Sequence, residues 1–410
     1  MMRFLIPFII LLLLDIYVFQ VVASAARDFG RLQKMLVYIV FWLTPVIAFL
    51  IMYSAGRGYF ALWPKYISSM AMAFMFIVYF SKVFAAIPLI VDDVRRFFVL
   101  VAGKIFPSTN FDAGRSDFIS KFALLLGGLP FGLLSYGVLR NPYRYKLRRQ
   151  DIYLRNLPDE LDGFKIVQIS DIHSGSFFMK EPVKSSVAMI NTCKPDIVFF
   201  TGDLVNNKAD EIDDFIDVFD KIEAKYGVYS ILGNHDYGDY HHWDSAEQKH
   251  ENFRKMIDAH KRLGWKLLMN ENEKISLGNA TLGIIGVDNY SMAMHFPKYG
   301  DLAKAYKGVE DADVKILLSH DPTHWDGQVI KDYKDIALTL SGHTHGFQFG
   351  VEIPGWIKWS PSQFVYKRWA GLYTQHDQYL YVNRGLGFLA YPGRVGILPE
   401  VTELVLKKML

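Results

Sequence analysis

A single cysteine in 410 residues excludes an internal disulfide framework; Cys193 reads as a small apolar residue closing a helix. Charge of one sign is also missing. Lys and Arg number 45 against 42 Asp and Glu, a net charge of +3, too small a surplus to argue for nucleic acid as a partner. Residues 1 to about 140 are dominated by Leu, Ile, Val, Phe and Met, whereas the remainder has the charge density of an ordinary soluble domain. The hydrophobic fraction of 51% therefore averages two regimes, and the length allows two or three domains.

Four apolar segments stand out: Phe4–Ala23, Met35–Tyr53, Tyr66–Val91 and Phe118–Leu139. Each approaches or exceeds the ~20 residues that cross a hydrocarbon core. The first runs past the ~7–15 apolar residues of a signal peptide, and three more follow it. The expectation is a transmembrane region over 1–140 with about four helices, a basic connector over 141–160 and a second domain over 161–410. A count of three, with Met35–Tyr53 or the fourth segment re-entrant, is the alternative. Arg140, Arg144, Lys146, Arg148 and Arg149 crowd after the fourth segment and predict a cytoplasmic second domain. Arg27, Arg31, Lys34, Arg95, Arg96, Lys104 and Arg115 in the opposing loops work against that. The run from Arg95 to Val101 reads as an interfacial helix. Asp15 and Lys82 fall well inside the first and third segments, at depths that would let them pair; a transport role is the weaker reading.

Beyond the connector, apolar strands alternate with helical spacing. Phe164–Ser170 ends in Asp171-Ile172-His173, and Asp196–Phe200 in Thr201-Gly202-Asp203. Gly227–Leu232 delivers Gly233-Asn234-His235-Asp236. Lys315–Leu318 ends in Ser319-His320-Asp321, and Asp335–Leu340 in Ser341-Gly342-His343-Thr344-His345-Gly346. Helices are expected at about 182–193, 210–226 and 245–263. Any one of these clusters is an ordinary turn or cap, and two histidines at i, i+2 taken alone fit a polar turn as well as a ligand pair. Five clusters at strand ends are another matter, because open α/β sheets bind ligands beyond the carboxyl ends of their strands.

The set Asp171, His173, Asp203, Asn234, His320, His343 and His345 offers oxygen and imidazole nitrogen but no thiolate. That suits Mn²⁺, Fe²⁺ or Zn²⁺ in a reactive site better than a structural zinc. Seven ligands are too many for one open site and suit two ions sharing a carboxylate, an arrangement that clamps a phosphoryl group.

Asp-x-His, Gly-Asp, Gly-Asn-His-Asp, a lone His and Gly-His-x-His, in that order over residues 150–410, resemble the calcineurin-like metallophosphoesterase superfamily. The resemblance implies a β-sandwich flanked by helices, an α/β fold preceded here by the transmembrane helices. It implies Asp171, His173, Asp203 and His345 around one metal, and Asp203 (bridging), Asn234, His320 and His343 around the other, with Mn²⁺ favoured. Asn234 and His235 would meet the substrate phosphate, and His235 with Asp203 would carry the catalysis. In phosphoprotein phosphatases of the superfamily an Asp three residues after the bridging one orients that histidine; here the position is Asn206, which puts general-acid catalysis by His235 in doubt.

The stretch 157–175 and the tail Tyr381-Val382-Asn383-Arg384-Gly385-Leu386-Gly387, Arg394 and Leu398-Pro399-Glu400-Val401 resemble the membrane-associated bacterial branch, which includes UDP-2,3-diacylglucosamine pyrophosphatases. Phe347 departs from the glycine common there. The implied function is membrane-anchored hydrolysis of a phosphodiester or pyrophosphate bond in a lipid-linked substrate at a bacterial inner membrane, with Arg384 and Arg394 as phosphate clamps. Trp356, Trp359, Phe364, Tyr366 and Trp369, threaded with Lys358, Lys367 and Arg368, suit either a membrane interface or a core. A soluble or cell-wall substrate, and an idle sensor or scaffold with the same fold, are the alternatives.

Overall fold

The apolar third of the chain forms four helices, α1 (Met2–Ala25), α2 (Arg31–Gly56), α3 (Lys65–Gly103) and α4 (Ala113–Arg140), in a computed structural model that describes residues 2–103, 113–292, 296–353 and 355–409. All four are long and apolar enough to cross a bilayer, and the chain is an integral membrane protein. Lys104, counted above among the loop cations, lies outside the described residues. Each helix carries one internal proline, Pro7, Pro45, Pro88 and Pro130, a residue that membrane helices tolerate where neighbours re-satisfy the freed backbone groups. A Cβ on Gly127 of α4 would lie 2.8 Å from the Ala85 Cβ and 3.0 Å from the Ser81 carbonyl oxygen of α3. The two backbones therefore approach through small residues. The run Arg95–Val101 is no separate interfacial helix. It continues α3, where Asp92 pairs with Arg95 and Arg96 at i+3 and i+4.

Inside this unit Asp15 and Lys82 do pair. Asp15 is fully buried and also accepts from the Tyr79 hydroxyl at 3.1 Å, while Lys82 Nζ donates to Thr44 Oγ1 at 2.5 Å. One polar knot thus holds α1, α2 and α3.

The second compact unit begins at Arg140. The stretch expected as a connector supplies its edge strand, β1 (Lys146–Leu154). It is followed by β2 (Lys165–Ile169), α5 (Lys180–Thr192), β3 (Ile197–Phe200), the short α6 (Ile216–Phe219), β4 (Val228–Ser230), α7 (Ala246–Arg262), β5 (Lys266–Leu267), β6 (Glu271–Leu277) and β7 (Ala280–Gly286). Then come β8 (Val314–Leu318), β9 (Ile336–Ser341), β10 (Val351–Ile353), β11 (Ile357–Trp359), β12 (Gly371–Gln375), β13 (Gln378–Val382) and β14 (Glu400–Lys408). Two six-stranded mixed sheets result, in the orders β1-β14-β2-β3-β4-β5 and β12-β13-β9-β8-β7-β6, beside a two-stranded ribbon of β10 and β11.

Period-two alternation explains the layering. Ile166, Ile197 and Phe199 of one sheet face Ile284, Ile316, Leu318, Leu338 and Leu340 of the other. Their neighbours Val167, Ile169, Val198 and Phe200 point outward, under Val183, Val187 and Ile190 of α5 and Met256 of α7. Apolar residues on both faces give the continuous runs seen in the sequence. The helix expected at 210–226 shrinks to a 3₁₀ turn over 209–215 followed by α6. The Glu211 carboxylate folds back onto the Asn206 and Asn207 N–H groups and tightens the chain there.

Candidate metal centre

All seven candidate ligands follow the carboxyl ends of strands: Asp171 and His173 after β2, Asp203 after β3, Asn234 after β4, His320 after β8, His343 and His345 after β9. The strands belong to both sheets, so the site spans the edge of the sandwich. Its loops are laced together by main-chain bonds. Asp171 N donates to Gly202 O at 2.9 Å, His173 N to Asp203 O at 3.1 Å and Gly342 N to His320 O at 2.9 Å.

Five of the seven sit at positive φ: Asp171 at 50°, His173 at 43°, Asp203 at 61°, His343 at 70° and His345 at 49°. Such backbone costs about 1–3 kcal/mol per residue and persists where the surroundings over-determine it, which is common at functional sites. The glycine before His343 has a steric reason. A Cβ on Gly342 would lie 2.0 Å from Ser170 Oγ and 2.2 Å from Asp171 Oδ2, so only glycine lets this turn close over Asp171.

Two clusters emerge, Asp171 with His173 and His345, and Asp203 with His320 and His343. In the first, His173 Nε2 lies 3.0 Å from His345 Nε2, which is 3.2 Å from Asp171 Oδ1. In the second, His320 Nε2 is 3.1 Å from Asp203 Oδ2 and 3.3 Å from His343 Nδ1. Asp203 Oδ2 also lies 3.6 Å from His173 Nε2, which puts its carboxylate between the clusters.

The residues fit divalent cations on several counts. His173 Nδ1 bonds the Val205 carbonyl at 3.1 Å and His320 Nδ1 the Thr201 carbonyl at 2.7 Å. Each bond takes up the Nδ1 proton and leaves Nε2 as the ligating atom. The Asn234 amide donates to the Tyr240 hydroxyl at 2.9 Å, while its buried Oδ1 has no hydrogen-bond partner. An orphaned carbonyl oxygen beside carboxylate and imidazole is a cation ligand in waiting. Burial alone would lower the His320 pKa, but Asp203 and Asp171 outweigh it and raise it to about 10. A cation at that point must displace a proton.

The supporting residues were less legible in sequence. Asp236 accepts from the N–H groups of Asp203, Leu204, Val205 and Gly233 at 2.7–3.3 Å; burial and the Asp203 charge push its carboxyl up to about 7. The Tyr366 hydroxyl lies 2.8 Å from His343 Nε2, with Asp321 3.6 Å away on the same nitrogen. Asp236 stands in the Gly-Asn-His-Asp run and was findable. Nothing in the sequence marks Tyr366 as a neighbour of His343.

His235 N donates to Asp203 Oδ1 at 2.8 Å, and His235 Nδ1 bonds the main-chain carbonyl of Asn206 at 2.6 Å. The side chain at 206 therefore does not orient this histidine. Its Oδ1 is buried without a partner, and the backbone performs the orientation.

Arg384 and Arg394, the expected phosphate clamps, are both engaged by groups of the protein itself. Arg384 bonds Glu400 at 2.5 Å and Glu352 at 2.6 Å, and Arg394, fully buried, donates to the carbonyls of Arg384, Gly385 and Gly387. Arg394 Nη2 also lies 3.4 Å from His345 Nδ1, so this guanidinium backs the candidate ligand loop, and the buried Arg384 Nε has no hydrogen-bond partner among the described residues.

A pocket of ≈ 550 Å³ opens over the centre. Asp203, Asn234, His235, His343 and His345 line it together with Tyr240, Phe296, Phe347, Tyr366, Leu389 and Tyr391. Phe347 holds a φ of 50° and is partly exposed at the mouth.

Residues 2–142 match the family described as "Probable Calcineurin-like phosphoesterase, transmembrane domain", and residues 164–347 match "Calcineurin-like phosphoesterase". The uncharacterized metallophosphoesterase YkuE of Bacillus subtilis is 32% identical over 293 residues, 69% of this chain and 95% of that protein. A transmembrane protein with a metallophosphoesterase domain from Danio rerio is 29% identical over 67% of this chain. The match spans only 60% of that longer relative. Among solved structures, the Thermus thermophilus sulfate thiohydrolase SoxB is similar over 56% of this chain and 53% of its own, with 12% identity and a TM-score of 0.36.

Proposed function

The chain belongs to the calcineurin-like metallophosphoesterases, and from that premise we propose that it cleaves a phosphodiester or pyrophosphate bond in a lipid-linked substrate such as UDP-2,3-diacylglucosamine. The observation that carries this reading is the pocket, whose lining joins the candidate ligands Asp203, Asn234, His343 and His345 and the candidate phosphate contact His235 with aromatic and aliphatic side chains. Such a site accommodates a charged head and an apolar body together. Membrane anchorage through α1–α4 adds to it, since a lipid substrate shares the bilayer with the enzyme.

Bound divalent cations, with Mn²⁺ as the resident ion we favour for this O/N donor set, would supply Lewis-acid activation of the phosphoryl group and of water. Asp171, His173, Asp203 and His345 would hold one, and Asp203, Asn234, His320 and His343 the other. The protein's own groups do the positioning. His235, its Nδ1 proton committed to the Asn206 carbonyl, presents Nε2 to the phosphate. A carbonyl supports an imidazolium less than a carboxylate does. With Nδ1–H held by a carbonyl, Nε2 can donate to the phosphate only in the imidazolium form, which the anionic phosphate itself would favour, and we assign His235 that charge contact rather than protonation of the leaving group. A nucleotide phosphate leaving group needs little protonation and fits that arrangement. The apolar side chains of the lining exclude bulk water and strengthen each charge interaction beside them.

We also propose that the catalytic unit faces the cytoplasm. Arg140, Arg144 and Lys146 support this; Arg148 and Arg149 are engaged by Glu352, Glu400 and Glu403 and carry less weight.

The test is Mn²⁺-dependent hydrolysis by the detergent-solubilised chain of UDP-diacylglucosamine, a polyprenyl pyrophosphate and bis-p-nitrophenyl phosphate, with Asp203→Ala as control. Turnover of a lipid-linked substrate well above that of the soluble diester is expected. Preference for the soluble diester would refute the lipid-linked reading, and no hydrolysis of any of them with metal bound would refute the whole proposal.

A further inference from the structure

The ribbon β10–β11 is amphipathic in the wrong sense for a soluble protein. Its register pairs Val351 with Trp359, Glu352 with Lys358 and Ile353 with Ile357. Alternate residues of a strand point to opposite faces, so the polar pair shares one face and the four apolar residues share the other. The polar pair is bonded to the rest of the unit, although Lys358 itself stays exposed. Glu352 pairs with Arg148 and Arg384, and Lys358 Nζ donates to the Ala370 carbonyl. The apolar face turns outward, with Val351, Ile353 and Trp359 45%, 42% and 40% exposed. Trp356 at the ribbon's tip is 77% exposed, and Phe364 in the following turn is 79% exposed beside the exposed Val365 and Lys367.

Water is the wrong solvent for that surface. Exposed clusters of large apolar side chains mark interaction sites, and Trp with flanking Lys is the composition of the membrane interface. The chain is itself an integral membrane protein, so a bilayer is present for every copy. We propose that residues 351–353 and 355–369 form a docking arm that seats Trp356, Phe364 and the apolar ribbon face in the headgroup–acyl boundary of the bilayer. The arm is bonded to the metal-bearing loop. Ser360 Oγ donates to Gly346 O at 2.6 Å, Thr344 Oγ1 to Trp369 O at 2.5 Å, and Tyr366 meets His343. Phe347, at the mouth of the pocket, has its ring 6.3 Å from that of Tyr366. Docking the arm therefore sets where the pocket opens relative to the lipid surface, whatever the substrate is.

The lone cysteine makes the test clean. In a Cys193→Ala background, Trp356→Cys, Phe364→Cys and, as an aqueous reference on α7, Lys255→Cys carry a nitroxide. The full chain is reconstituted in phosphatidylcholine–phosphatidylglycerol nanodiscs, and bis-p-nitrophenyl phosphate hydrolysis confirms that each labelled protein is folded. Power saturation should show labels at 356 and 364 relaxed more by oxygen than by a nickel chelate, and the label at 255 the reverse. Nickel-favoured relaxation at 356 and 364 would overturn the proposal. Dipolar broadening between copies at these sites would overturn it equally, by giving the surface to a second chain.

Discussion

Replacing Arg384 distinguishes an internal ion pair from a substrate clamp. Arg384 is 2% exposed and holds two carboxylates, Glu400 at 2.5 Å and Glu352 at 2.6 Å, both of which also pair with Arg148. Arg384→Met keeps the length of the side chain but leaves the fully buried Glu400 short of its main counter-ion. Removing one partner of a buried pair costs about 3–5 kcal/mol. With an unfolding entropy of about 2.1 cal/mol/K per residue, a unit of about 270 residues should then lose about 5–9 °C in Tm. Near-UV circular dichroism of the solubilised full chain reads this directly. Glu400→Gln added to Arg384→Met should recover part of the loss, since it neutralises the stranded charge. The pH dependence has a definite sign. Burial alone would raise the Glu400 pKa, but Arg384 and Arg148 outweigh it and hold it below the usual value. Its contribution to stability is present above the unfolded-state pKa and fades as pH falls through the folded-state value. Arg384→Met should weaken that acid-side loss. An unchanged Tm together with a raised KM would refute the reasoning and restore the clamp.

Other outcomes follow from the same geometry. Asp15→Leu and Lys82→Leu should each destabilise the helical unit by about 3–5 kcal/mol in detergent unfolding, and the double replacement by less than either; equal damage from all three would contradict the polar knot. His343→Ala and His345→Ala should each weaken a different ion, so Mn²⁺-loaded variants should give distinct spectra for the ion that remains, and identical spectra would contradict two separate clusters. His235→Ala should cost about 10²–10³ in kcat, the scale of losing one charge-stabilising donor. Unchanged turnover on every substrate would remove His235 from the mechanism.

The strand-tip ligands were legible because each carries two signals at once, an apolar run that must be buried and a polar cluster that ends it. Asp203 and His320 could be placed at one edge before any coordinates. The burial of Arg384 and Arg394 is not legible in the sequence, because residue type does not encode exposure. The same guanidinium fork clamps a substrate at a surface and a glutamate in a core. Asn206 misled differently, since its side chain invited comparison with a carboxylate while its backbone carbonyl did the holding. The aromatic run between 356 and 369 divides in a way no composition shows. Tyr366 and Trp369 are core, whereas Trp356 and Phe364 face outward, because the ribbon's register turns its polar pair toward Arg148 and Arg384.

One consequence concerns the order in which this protein is made. Strand β1 finds its partner not in β2 but in β14, in parallel register from Lys146↔Glu400 to Leu154↔Lys408, and β14 in turn separates β1 from β2. About 250 residues must be translated before that first strand can pair, on the order of ten to fifty seconds at ordinary elongation rates. The helices of the membrane unit can leave the translocation machinery in that interval. Meanwhile β1 and β2 wait with open edges, the condition in which strands recruit the wrong neighbours. A nascent chain of this kind needs shelter at the membrane surface until residues 400–408 arrive, and loss of those residues would leave a correctly inserted anchor carrying an unfinished sheet.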